Sequence, residues 1–240
     1  MHNIHDEMYN LAEKYKEMSI GSRETDIIYK YMVMSIDVGI TNLGISISKH
    51  TEDWSESEII SVDLIDLAKL KHKTVSRRDC SLHHTGHIVD RMEHLFQEWD
   101  SIFTQCEYIL CERQPPVGIT SVEALIYQKY RHKTHLIHPT SMHKHFNISH
   151  LEYDQRKEKT VEITLQTLEG YSDLKNSFNS HERKHDMADS VCLQKYWTDC
   201  CRKKYISNEK KKNNIDLFEK HKGMNIHDYF DMFKYKGPLR

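Results

Sequence analysis

Glycine is scarce in this chain, 8 residues of 240, where an average protein carries about 7%. Folds built on several glycine-rich phosphate loops therefore start at a disadvantage. Long apolar runs are missing too. Nothing approaches the roughly 18 consecutive apolar residues that a bilayer-spanning helix needs, so no membrane association is expected. The first thirty residues scatter His5, Asp6, Glu7 and Lys14 along their length, which leaves no apolar core for a secretory signal. The six cysteines (80, 106, 111, 192, 200 and 201) contain no CxxC pair, and with no secretory context they read as reduced intracellular thiols. A large net charge is also absent. The formal total of −2 speaks, at face value, against a polyanionic partner.

What is present is a folded chain: 38% hydrophobic and 29% charged residues, enough for one large domain or two small ones. Residues 1–31 carry Met8, Leu11, Tyr15 and Met18 at helical spacing and stop at Gly21-Ser22, an N-terminal extension expected to be helical. From Met32 the apolar period changes to two. Residues 33–38 form a short strand, Leu43, Ile45 and Ile47 alternate with small residues in a second, and residues 58–64 offer a third. Three strands so closely connected imply an antiparallel meander. Ile88, Met92, Leu95, Phe96 and Trp99 then mark one helical stripe. Residues 106–111 make a compact apolar strand, stopped by Pro115-Pro116. Helices are expected over 120–130, 157–168 and 185–201, with a strand at 136–138 ended by Pro139. The result is a single mixed α/β domain over residues 32–201, followed by a lysine-rich, aromatic-containing extension over 202–240.

Two acids stand out because they end apolar strands: Asp37 and Glu112. A carboxylate in such a place needs a compensating cation or strong hydrogen bonds. A third locus is His185-Asp186-Met187-Ala188-Asp189-Ser190. Asp186 and Asp189 are three residues apart, so both project from one face of a helix and repel unless something positive bridges them. Four hard oxygen ligands from three elements are what Mg²⁺ or Mn²⁺ takes. Two such ions would activate a water and stabilise the leaving oxygen of a phosphodiester.

These words, in this order, resemble the ribonuclease H-like superfamily and, more narrowly, the RuvC-like Holliday junction resolvases of large DNA viruses, the poxvirus type included. The matching segments are residues 35–44 (SIDVGITNLG), 112–116 (ERQPP) and 185–190 (HDMADS), with 130–133 and 155–160 also similar. The resemblance implies a mixed sheet of three antiparallel strands followed by alternating helices and parallel strands, flanked by helices. It implies an acidic tetrad of Asp37, Glu112, Asp186 and Asp189 holding two Mg²⁺ ions, with Mn²⁺ able to substitute. It also implies a lysine ahead of the penultimate helix, assigned here to Lys159 with Lys157 as the alternative. The expected protein is a homodimer that cuts two strands of a four-way DNA junction symmetrically. It would act inside the host cell at sites of viral DNA replication, the cytoplasm favoured.

Rival readings are a ribonuclease H-like enzyme cutting RNA–DNA hybrids or other branched DNA, a DNA-binding scaffold, and an actin-like phosphotransferase. The last shares the D-x-G-x-x-N word at residues 37–42 but needs a second glycine-rich loop, and eight glycines are too few. Cys80, His83, His84 and His87 have metal-ligand types but not the paired spacing of a zinc site, and read as a solvated or DNA-facing patch. His138, His143 and His145 read as surface residues, and His185 as a neighbour of the acids. The near-neutral total also divides: residues 32–201 carry −6, including the four acids, and residues 202–240 carry +6. An acidic metal site and basic DNA-facing surfaces average to nearly zero.

Overall fold

The computed structural model describes residues 27–39, 42–67, 87–116 and 120–220, with side chains to residue 213. The N-terminal helix, the basic run at 69–78, Cys80, His83, His84 and the tail beyond 220 lie outside the described residues. Strands β1 (Tyr31–Val38), β2 (Asn42–His50) and β3 (Ser57–Asp66) form the antiparallel meander. After helix α1 (Ile88–Glu98) and short α2 (Asp100–Gln105), β4 (Tyr108–Glu112) joins β1 in parallel. Helix α3 (Ser121–Lys129) leads to β5 (Thr134–Ile137), parallel to β4. The sheet order is β3-β2-β1-β4-β5. Helices α4 (Pro139–His145), α5 (Tyr153–Thr167), α6 (Ser172–Ser180) and α7 (Lys184–Lys220) complete the chain.

Two layers of helix cover this sheet, and the strand residues divide accordingly. Met34, Ile36, Ile45, Ile47 and Cys111 pack on one face against Met92, Leu95, Phe96 and Phe103 of α1 and α2, sealed by Tyr130. The other face receives α7, and there β1 and β2 present small residues: Ser35, Gly44, Ser46 and Ser48. Small side chains let a helix backbone lie close to the strands, and the polar contacts follow. Ser35 Oγ donates to the Ser190 carbonyl at 2.7 Å, Ser46 Oγ to Gln194 Oε1 at 2.6 Å, and Gln194 Nε2 to the Val33 carbonyl at 3.1 Å. Alternation in β2 therefore separates two buried faces rather than an inside from an outside. Helix α5 lies beside α7, with Thr164 Oγ1 donating to the Ala188 carbonyl and Cys192 Sγ to that of Thr160.

Several expectations shift in detail. The strand expected at 106–111 begins at Tyr108 and includes Glu112. Short helices α2, α4 and α6 are additional to the expected elements. Helix α7 does not stop at residue 201 but runs on to Lys220, because no glycine or proline interrupts the chain before Gly223.

Candidate active site

Asp37 closes β1 on the α7 face, and its neighbours are fixed by register. In the parallel ladder Ile36 sits opposite Cys111, so Asp37 and Glu112 follow side by side at the carboxyl ends of β1 and β4. There the two carboxylates repel each other. Asp37 is 9% exposed. Burial, the Glu112 hydrogen bond and charge, and the Asp189 charge hold its carboxyl well above the usual carboxylate range, with Lys157 pulling the other way.

Across the sheet, Asp37 pairs with Gly44. A Cβ on Gly44 would lie 1.9 Å from the Asp186 carbonyl oxygen and 3.0 Å from the Met187 nitrogen. The first turn of α7 thus rests directly on the strand partner of Asp37, and glycine is what permits it. This approach brings Asp189, one turn on, to the two strand-end acids. Asp186 turns toward Arg183, whose Nη2 and Nε lie 2.9 and 3.0 Å from its Oδ2. Among the described residues, no three His, Cys, Asp or Glu side chains form a ready ion-binding group as placed. Asp189 and Asp186 are each engaged by a cation of the chain itself.

Of the two lysines expected, Lys157 faces the acids and Lys159 does not. Lys159 lies on the exposed side of α5, paired with Glu162 at 2.6 Å. Lys157 reaches inward and donates to Asp189 Oδ2. Burial works against its ammonium, yet the Asp189 charge and hydrogen bond and the Asp37 charge outweigh it, leaving its pKa above the ordinary lysine value. The reason is helical phase. Residues 157, 160, 161, 164, 165 and 168 share one face of α5, and Thr160, Val161, Thr164, Leu165 and Leu168 are the residues turned to α7 and its cluster. Residue 159 falls on the face of Glu162 and Gln166.

His143 was expected at the surface, and the structure places it beside the site. Its pKa is lowered by burial and by Arg156, while Asp189 and Glu112 draw it up. The available signal was Pro139, a residue suited to the first turn of a helix, which carries His143 one turn further on. His138 instead caps α4, and His145 Nε2 lies 2.8 Å from Asp199 Oδ2. His185 Nδ1 is buried with no hydrogen-bond partner among the described residues.

A sheet of order β3-β2-β1-β4-β5, antiparallel in its first half and parallel in its second, with acids on β1, β4 and the helix laid over them, is a ribonuclease H-like fold. The chain belongs to the poxvirus A22 protein family, whose model matches residues 31–199. Among solved structures it is similar to the fowlpox virus resolvase crystallised with its substrate Holliday junction DNA. The identity is 17%, the TM-score is 0.53, and the match covers 70% of this chain and 97% of that one. A second crystal structure, of the fowlpox virus Holliday junction resolvase, matches at 16% identity and a TM-score of 0.48, over 70% and 99%. No curated protein sequence matches the chain.

Proposed function

We propose that this protein is a structure-specific endonuclease that resolves four-way DNA junctions, cutting two strands symmetrically as a homodimer. The observation that carries the reading is the convergence of Asp37, Glu112, Asp189 and Lys157 at one end of the sheet. Family membership and the fold shared with a fowlpox resolvase bound to junction DNA support it. Among the described residues no helix is long and apolar enough to cross a membrane. The protein is expected to act where viral DNA is replicated.

The residues fit divalent cations. Asp37 is buried beside Glu112 and Asp189, and the burial and mutual repulsion that raise its pKa are what a bound cation would offset. Asp37, Glu112 and Asp189, with Asp186 one turn away, supply the hard oxygen donors that Mg²⁺ or Mn²⁺ takes, two ions per site in this reading. When bound, such ions would lower the pKa of an attacking water and neutralise charge on the phosphate. The chain's own residues do the rest. β1 and β4 hold two carboxyls rigidly in register, Gly44 sets the distance of α7, and Lys157 keeps a fixed positive charge beside the acids. That ammonium offsets negative charge growing on a scissile phosphate, which is the kind of preorganised electrostatics that lowers such barriers.

The test is cleavage of an immobile four-way junction against matched duplex and RNA–DNA hybrid, in Mg²⁺ and in EDTA. Paired symmetric nicks in the junction, dependent on the metal, are expected. Asp37→Asn should bind junctions and not cut them. Cleavage of hybrids with junctions left intact would replace the proposal by the hybrid-cutting reading.

A further inference from the structure

We infer that the free half of α7, residues 202–213, is a second DNA-backbone contact that this chain adds to the family fold. The inference rests on the junction-resolving reading above. The family model ends at residue 199, whereas the helix continues well past it. From Arg202 to Asn213 every side chain is exposed except the half-buried Glu209.

An isolated helix of this length is marginal in water; here it is propagated from a packed one. Its root is held firmly. Trp197 lies 4.6 Å from the His135 ring and 6.0 Å from that of Tyr108, Cys201 packs on the same cluster, and Arg202 Nη1 reaches the Ser55 carbonyl at 3.5 Å. The arm is therefore aimed by the domain rather than swinging from a linker.

Its charge is strongly basic. Residues 202–213 hold six Lys/Arg and one Glu. At about 100° per residue, Lys203, Lys204, Lys210 and Lys211 fall on one face with Ser207 between them. Arg202, Tyr205, Glu209 and Lys212 lie on the opposite side, and Ile206 borders the face beside Lys210. The two lysine pairs are seven residues apart, about 10 Å along the axis. Among the described residues none of the four lysines is ion-paired. A face of uncompensated ammonium groups with no apolar stripe beneath it repels a second copy of itself and suits a row of phosphates. From Asp189 the pairs are about 22 and 32 Å away along α7. DNA touching both the acids and this face must therefore extend at least about 6–10 base pairs from the cut.

The experiment uses the full-length protein and the variant Lys203→Gln/Lys204→Gln/Lys210→Gln/Lys211→Gln, since glutamine keeps helix propensity. Junction affinity is measured across salt in Ca²⁺, with arms of 5 and of 20 base pairs. With long arms the variant should bind at least tenfold more weakly, and its log K against log salt slope should be shallower by about 2–3.5. With short arms the two proteins should bind alike. Equal affinity and slope on long arms, with unchanged melting, overturns the inference while wild-type junction cleavage leaves the nuclease reading standing. A defect confined to vesicles containing phosphatidylserine would also overturn it, making the arm a membrane contact. Failure of the wild-type protein itself to cut junctions would count against the proposed function instead.

Discussion

Gly44→Ala tests how the site is assembled, because Gly44 has no chemistry of its own. The added Cβ would sit 1.9 Å from the Asp186 carbonyl oxygen and 2.4 Å from its carbon, where ordinary contact begins at 3.4 Å. About 1.5 Å must be found between β2 and the first turn of α7. Neither side yields freely, since Ser35 holds the Ser190 carbonyl at 2.7 Å and Gln194 holds Val33 at 3.1 Å. Overfilling a packed contact costs about 1–3 kcal/mol. For a chain of this size that lowers Tm by roughly 2–12 °C. A displacement of about 1 Å between Asp189 and Asp37 should slow cleavage by about 100-fold, the loss expected for misplaced catalytic groups. The assays are single-turnover junction cleavage and thermal melting, with junction binding as the control. Ser46→Ala serves as comparison, removing a hydrogen bond on the same face without adding volume, and should cut within a few-fold of wild type. A Gly44→Ala protein that melts and cleaves like wild type would refute the close approach of α7 to β2.

Three further outcomes follow from the same geometry. Lys157→Ala should reduce cleavage by about 10²-fold through loss of a fixed charge at the phosphate, while Lys159→Ala should stay within about twofold; the reverse order would restore Lys159 to the site. Asp37, with its folded pKa raised by burial, Glu112 and Asp189, takes up a proton on folding. The cost of ionising it is absent below about pH 4 and grows as pH rises towards the folded value, at about 1.4 kcal/mol per pKa unit. Metal-free Asp37→Asn should therefore match wild-type stability near pH 4 and exceed it near pH 8; a constant difference across that range would show that Asp37 does not titrate abnormally. His50 behaves oppositely: burial lowers its pKa to about 4, so its contribution is intact above about pH 6.5 and is lost as pH falls toward 4. Chemical denaturation should show about 3 kcal/mol of stability lost in that window, and His50→Asn should abolish that slope whatever its effect at neutral pH.

Legibility differed from residue to residue. Asp37 and Glu112 could be read directly, because a charge closing an apolar strand has no structural reason of its own. The strand meander was equally plain from the alternation of Leu43, Ile45 and Ile47. The small residues that alternate with them were less informative: alternation marks Gly44, Ser46 and Ser48 as a second face without showing that, with Ser35, they are the bed of α7. Helix α6 escaped notice because its apolar content is little more than Leu174 and Phe178. The continuation of α7 past residue 201 was missed because a rise in lysine content reads as a boundary, although charge alone does not end a helix.

Sequence by itself determined the order of the strands and longer helices, the acids at two strand ends and the paired acids on the last helix. It did so because backbone propensity, apolar period and the cost of burying a charge act locally. Only the tertiary structure decided which residues meet. Register set Glu112 beside Asp37, Gly44 let α7 down onto β2, and the packing of α5 against α7 turned Lys157 inward and Lys159 out. Two residues along a helix amount to about 200° of rotation, and that angle has meaning only once a neighbouring helix fixes which side is in.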